Sequence, residues 1–133
     1  MINLYNRDCL EAMREMENDA YDLAITSPPY NMNLRIRNGK YCSRQIIPEI
    51  STKYKNFSDN LPIDEFYNLH KRILEQLIRV SRMTFYNISI VTGSKRAFFK
   101  LIGNFANNIK EIIAWDRDWE TLINCSNIRL CKL

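Results

Sequence analysis

Positions 27–30 read Ser27-Pro28-Pro29-Tyr30, a hydroxyl, two prolines and an aromatic ring in immediate succession. That combination suits one chemical problem. An exocyclic amino nitrogen on an aromatic base is a poor nucleophile, because its lone pair is delocalised into the ring. Two acceptors, the Ser27 side chain and the Pro28 carbonyl, can take its two N–H groups and favour a pyramidal nitrogen whose lone pair faces an electrophile. Prolines hold such acceptors still, which is preorganisation of both position and charge. Tyr30 can stack on the base. The plainer reading of the same residues is a rigid exit turn, since proline fixes φ and ends a strand's hydrogen-bond ladder.

Such a turn must be carried by something regular. Tyr21-Asp22-Leu23-Ala24-Ile25-Thr26 reads as a buried strand running straight into it. Upstream, Ile2 to Tyr5 is a short apolar run with strand character. Asp8 then opens a helix, with Glu11 three residues on as a capping-box-like pair and Leu10, Met13 and Met16 on one face. Downstream, a helix is predicted from Pro62 to Arg82, with Phe66, Leu69, Ile73, Leu77 and Val80 at three- and four-residue steps. Asp64 and Glu65 begin it and Arg79 and Arg82 end it, in keeping with the helix dipole. Thr84 to Val91 is the next strand, and Gly93-Ser94 supply a turn and a helix cap. A second amphipathic helix follows through Ala97, Phe98, Leu101, Ile102, Phe105 and Ile109, and Glu111 to Trp115 forms a last strand. Strands alternating with amphipathic helices predict an α/β domain with a mostly parallel sheet. Sites in such sheets lie beyond the carboxyl ends of the strands, where Ser27 falls.

Positions 31–60 show no clear period. A stretch of that length inside a compact domain is functional or disordered. Between Asn33 and Lys55, Arg35, Arg37, Lys40, Arg44, Lys53 and Lys55 stand against a single acid, Glu49, with Tyr41, Tyr54 and Phe57 in and beside the run. This local excess of positive charge suits a phosphate backbone, and a solvated loop accounts for it equally. The 133 residues fit one domain, and the net charge is a modest +4. No apolar run approaches the ~20 residues of a membrane span. The amino terminus has neither a basic nor a long apolar segment, so no signal peptide and a cytoplasmic location are expected. Cys9, Cys42, Cys125 and Cys131 form no CxxC pair, so reduced thiols and no metal site are expected.

Tyr21 to Asn31, YDLAITSPPYN, resembles the catalytic motif of the β-class DNA amino-methyltransferases of restriction-modification systems and phages. These enzymes methylate the exocyclic amino group of adenine or cytosine in double-stranded DNA with S-adenosylmethionine (SAM). The preceding Asn6-Arg7-Asp8-Cys9-Leu10 resembles the family's acidic segment beside the cofactor adenine. Glu65-Phe66-Tyr67, Arg79-Val80, Phe85-Tyr86-Asn87-Ile88 and Ile112-Ile113-Ala114-Trp115-Asp116 follow the family's order. The resemblance covers 1–117, the catalytic-loop part of such a domain, and implies a Rossmann-like SAM-dependent methyltransferase fold. It implies catalytic roles for Ser27, Pro28, Pro29 and Tyr30, and cofactor contacts for Asp8 and Cys9. DNA contacts would come from the basic stretch within 31–60, and a target-base pocket from Tyr30 and Trp115. A base inside a duplex cannot reach such a pocket, so base flipping is implied. Asp8 as a plain helix cap, and Trp115 as a strand-end core residue, stand beside those roles. Serine at the first motif position leans toward cytosine in this family.

The family's glycine-rich SAM loop, of Phe-x-Gly-x-Gly type, has no counterpart. Gly39, Gly93 and Gly103 are isolated, and a turn that brings backbone N–H groups to a cofactor cannot be assembled from them. The tail, 118–133, diverges from the family, and the strands are too few for its full sheet. The fold is therefore expected to be incomplete, with an exposed sheet edge. The chain alone is expected to be inactive, as a fragment or as one part of a split enzyme whose second chain carries the SAM loop. The alternative is a non-catalytic DNA-binding module that keeps the basic loop.

Overall fold

The structure is a computed structural model that describes residues 2–31, 35–37, 40–42, 61–88, 90, 94–115 and 125–131, with backbone alone for 35–37, 40–42, 114–115 and 125–131. In chain order the elements are α1 (Cys9–Arg14), β1 (Tyr21–Thr26), β2 (Arg35–Arg37), β3 (Lys40–Cys42), α2 (Ile63–Val80), β4 (Ser81–Ile88), α3 (Lys95–Asn104), β5 (Ile109–Trp115) and β6 (Cys125–Cys131). A short 3-10 turn, Ala106–Asn108, links α3 to β5.

The sheet has the order β1-β4-β6-β5. β1 runs parallel to β4, while β6 runs antiparallel to both β4 and β5. It follows that β1, β4 and β5 all point the same way and only β6 is reversed. The expected mostly parallel sheet thus needs a correction: its strands are mostly codirectional, but two of its three pairings are antiparallel. The reason lies in chain length. A parallel neighbour needs a crossover of roughly a dozen or more residues, whereas 116–124 suffice only for β6 to return alongside β5. β6 lies in the 118–133 tail, so that segment completes the middle of the sheet. A reversed strand in an otherwise codirectional sheet is common among doubly wound folds.

α2 forms because one face of its sequence is apolar throughout. Phe66, Tyr67, Ile73, Leu74, Leu77 and Val80 are buried, with His70 among them. The helix ends two residues before the expected Arg82, because Ser81 already takes extended dihedrals and begins β4 with no intervening loop. The Ser81 hydroxyl donates to Leu77 O at 2.7 Å and meets Thr84 Oγ1 at 2.8 Å, satisfying the buried helix-to-strand junction. α3 and α1 both pack on α2, and α2 packs on β4. Thr84, Tyr86 and Ile88 of β4 alternate inward toward these helices, and Ala24 of β1 joins the same core.

Among the described residues, nothing gives the other face of β1 such cover. Tyr21, Leu23 and Ile25 all point away from the core, and Ile25 is 75% exposed. Parallel strands are normally covered on both faces. Among the described residues, no strand pairs with the outer edge of β1. Ile2–Tyr5 takes no regular structure, contrary to the strand expected there. Ile2 and Leu4 are 88% and 92% exposed, and a lone extended segment with no neighbouring strand has nothing to satisfy its backbone groups but water. The ribbon β2–β3, an antiparallel pair, lies in the stretch where no period was read. Its three-residue strands are too short to show one.

Candidate functional site

The turn Ser27–Tyr30 leaves the carboxyl end of β1 next to the carboxyl end of β4, since Thr26 is in register with Tyr86. Ser27 and Pro29 are exposed, Pro28 is buried and Tyr30 is half-buried. The Ser27 hydroxyl shares a short hydrogen bond with the Tyr30 hydroxyl. The Asn87 side-chain amide, one position beyond Tyr86, donates to Ser27 Oγ at 3.4 Å. Hydroxyl and ring are thereby held together at the strand end.

Three contacts from the helical side hold the rest of the turn. His70 Nε2 donates to Pro29 O at 3.1 Å. The Ser94 hydroxyl donates to Tyr30 O at 3.3 Å. Asn31 Nδ2 donates to Leu61 O at 2.9 Å, just before α2. Asn31 has φ 58°, the left-handed region that asparagine tolerates better than most residues, and there the chain turns away from the site. The Pro29 and Tyr30 carbonyls are thus occupied. The Pro28 carbonyl has no hydrogen bond among the described residues.

Behind the turn, the Tyr86 hydroxyl meets His70 Nδ1 at 2.6 Å, and both residues are 0% exposed. Burial pushes the Tyr86 phenol far above its ordinary range, and the charge of an ionised Cys9 would push the same way. Cys9 opens α1. Its thiol is raised by burial first and by the Asp8 carboxylate second, outweighing the backbone N–H groups of Cys9 and Leu10. Asp8 Oδ1 accepts from Glu11 N at 3.0 Å, so Asp8 is engaged as the cap of α1.

Of the residues singled out from sequence, Ser27, Pro28, Pro29 and Tyr30 form this turn, while Asp8 caps α1 and Cys9 opens it. Arg35, Arg37 and Lys40 lie on the β2–β3 ribbon, while Arg44, Lys53 and Lys55 lie outside the described residues. Trp115 ends β5 on the same carboxyl edge as Ser27, but β6 and β4 stand between β5 and β1. At ~4.8 Å per strand this is a backbone separation on the order of 14 Å. His70, Tyr86, Asn87 and Ser94 were not singled out as site residues. The signal for His70 was a lone imidazole at core spacing, four after Phe66 and three before Ile73, which reads equally as packing. Ser94 was read as a helix cap. It precedes α3, yet it makes no side-chain cap bond and reaches Tyr30 instead.

No group of three His, Cys, Asp or Glu side chains among the described residues is placed to hold a metal ion. None of the described helices is long and apolar enough to cross a membrane. The class of protein so defined is a mixed α/β domain with a hydroxyl-bearing, proline-fixed turn at the carboxyl edge of its sheet. No protein-family model matches the chain. It is similar to the type II methyltransferase M.BglII of Bacillus subtilis, at 30% identity over 77 residues, or 58% of this chain. That stretch spans 16% of the relative's length.

Proposed function

We propose that this chain is the catalytic-turn part of a SAM-dependent DNA amino-methyltransferase, with a partial Rossmann-like methyltransferase fold. In this reading it holds the exocyclic amino group of a flipped adenine or cytosine for methylation. The observation that carries the proposal is the division of labour in the turn. The Pro29 and Tyr30 carbonyls are bonded to His70 and Ser94, whereas the Pro28 carbonyl has no hydrogen bond among the described residues, and the Ser27 hydroxyl, donating to Tyr30 and accepting from Asn87, keeps one lone pair for substrate. Two such acceptors take the two N–H groups of an amino nitrogen, and the stacked base rests on Tyr30. The similarity to a methyltransferase supports the same reaction class.

Asp8 and Cys9 would contact SAM, and no glycine turn accompanies them among the described residues. Asp8 is engaged as a helix cap, and Gly103, inside α3, is no part of a turn. No step is therefore assigned to the cofactor within this chain, whose own task is to bind and orient the base. In this reading the SAM-binding part lies outside these 133 residues, in the same gene product or in a second polypeptide, and these residues alone have little or no activity. The outer edge of β1, unpaired among the described residues, and the exposed Leu23 and Ile25 support that assignment, because a part that continued the sheet past β1 and laid a helix on its open face would cover both. The Arg35, Arg37 and Lys40 ribbon would approach the phosphates of double-stranded DNA, together with Arg44, Lys53 and Lys55.

The test begins with the DNA downstream of the reading frame, translated in all three frames for a Phe-x-Gly-x-Gly segment. The polypeptide that carries it is co-produced with this chain, and transfer of labelled methyl from SAM to DNA is measured. The expected result is transfer by the pair, none by the chain alone, and a loss of about 10²–10³-fold with Ser27→Ala at unchanged DNA affinity. Robust transfer by the chain alone would refute the split assignment. Equal rates for Ser27→Ala and the unmodified pair would refute the role of the turn and favour the non-catalytic DNA-binding module.

A further inference from the structure

We infer that His70 is the positioning residue of the catalytic turn, a neutral imidazole whose Nε2–H holds the Pro29 carbonyl in place and whose proton is fixed on that nitrogen by Tyr86. The inference rests on the reading of Ser27–Tyr30 as the site of amino-group binding. A carbonyl oxygen can only accept, so Nε2 must carry the proton in the 3.1 Å contact to Pro29. In a neutral ring Nδ1 is then an acceptor, and the Tyr86 hydroxyl at 2.6 Å is its donor. The phenol is suited to that task, since burial holds it in the protonated form. The Phe66 ring, 4.0 Å away centroid to centroid, fixes the imidazole plane from within the same helix.

The arrangement selects which acceptor the substrate meets. Without a donor at Nε2, the Pro29 carbonyl is a third free acceptor in the turn and competes with the Pro28 carbonyl for the target N–H groups. With it, the turn is pinned from the helical side, 41 positions along the chain, and Ser27 Oγ and Pro28 O keep one fixed relation to each other. Reacting groups displaced by about 1 Å can lose about a hundredfold in rate. The site therefore depends on a residue that never touches the substrate.

The full chain contains one histidine, so a ¹⁵N-histidine-labelled sample gives a single imidazole in long-range ¹H–¹⁵N spectra. The Nε2–H tautomer is expected, and Tyr86→Phe should move the ring toward a mixture of tautomers. An Nδ1–H ring, or a Tyr86→Phe spectrum identical to the unmodified one, would overturn the inference. Asparagine reaches the place of Nδ1 and glutamine that of Nε2. His70→Asn should accordingly move the Pro29 carbonyl ¹³C resonance upfield, and His70→Gln should leave it near its original position. In the complemented enzyme, His70→Asn should lower kcat about a hundredfold with KM for DNA unchanged, and His70→Gln should restore most of it. Full kcat in His70→Asn would overturn the inference. Absence of methyl transfer by the unmodified pair would instead count against the proposed function, and the tautomer and carbonyl measurements would still decide the role of His70.

Discussion

Replacing Arg79 with methionine should destabilise the fold by about 3 kcal/mol, far more than the same change at its neighbour Arg82. The Arg79 guanidinium donates to Met13 O at 2.5 Å and to Met16 O at 2.7 Å, carbonyls at and just beyond the carboxyl end of α1, the first of which also accepts from Met16 N at 3.1 Å. It also bonds Gln76 Oε1 and Asn18 Oδ1, and its own carbonyl accepts from Asp19 N at 3.0 Å. A hydrogen bond with one charged partner contributes about 1.5–3 kcal/mol net, and two such bonds at a half-buried site belong at the lower end of that range. Among the described residues, Arg82 meets the exposed Asp22 alone, and such a pair contributes about 0–1 kcal/mol. Lysine at position 79 should recover part of the loss, having no planar fork to span both carbonyls. Urea unfolding at neutral pH measures this. With m of ~1–3 kcal/mol/M, the Arg79→Met midpoint should fall by roughly 1–3 M at unchanged m. Equal midpoints for Arg79→Met and Arg82→Met would refute the reasoning that α1 is anchored through this guanidinium.

Asp8→Ala should cost about 1 kcal/mol of stability through loss of the cap on Glu11 N, with Asp8→Ser restoring most of it, as read by the same urea midpoints. A loss of cofactor binding in the complemented enzyme that Asp8→Ser fails to restore would assign Asp8 a role beyond the cap. Cys9 should alkylate more slowly with iodoacetamide in the folded chain than in urea at the same pH, because burial and then Asp8 raise its thiol. Peptide mass spectrometry reads this, and equal rates would contradict it. For Tyr86 the folded phenol is raised above its unfolded value of ~10. Its contribution is therefore full below about pH 10 and is lost as the pH rises, since the unfolded chain ionises first. Unfolding followed from pH 8 to 11 should show a steeper alkaline loss in the unmodified chain than in Tyr86→Phe.

Local pattern and tertiary placement contributed differently to what could be read in advance. β1, α2 and the turn were legible because each is encoded by neighbours: a β-rich run stopped by two prolines, and an apolar stripe repeating every three or four residues. The boundary between α2 and β4 was not, because Val80, Ser81 and Arg82 continue the helical pattern while the junction is decided by Ser81 bonding Leu77 and Thr84. Nor could the place of β6 be read, since its position between β4 and β5 depends on pairing across the sheet. The site divides along the same line. Ser27 to Tyr30 announce themselves by composition. His70, Tyr86 and Ser94 come from α2, β4 and the start of α3, and only the folded chain brings them to one turn.

That division has a consequence for how the site is built. The described bonds to the Pro29 carbonyl, the Tyr30 carbonyl and the Asn31 side-chain amide run to His70 of α2, to Ser94 just before α3 and to Leu61 just before α2. These helices cover one face of the sheet and share its core with Thr84, Tyr86 and Ile88. The bare edge and face of β1 contribute none of those contacts. A partner that continued the sheet past β1 and covered its open face would bury Leu23 and Ile25 without having to shape the turn, whose carbonyls are already held from the opposite side. The turn should then have the same geometry with and without the partner, and the Pro29 carbonyl resonance is the observable that compares the two. A shift of that resonance on complex formation as large as the shift caused by His70→Asn would mean that the partner, and not His70, sets the turn.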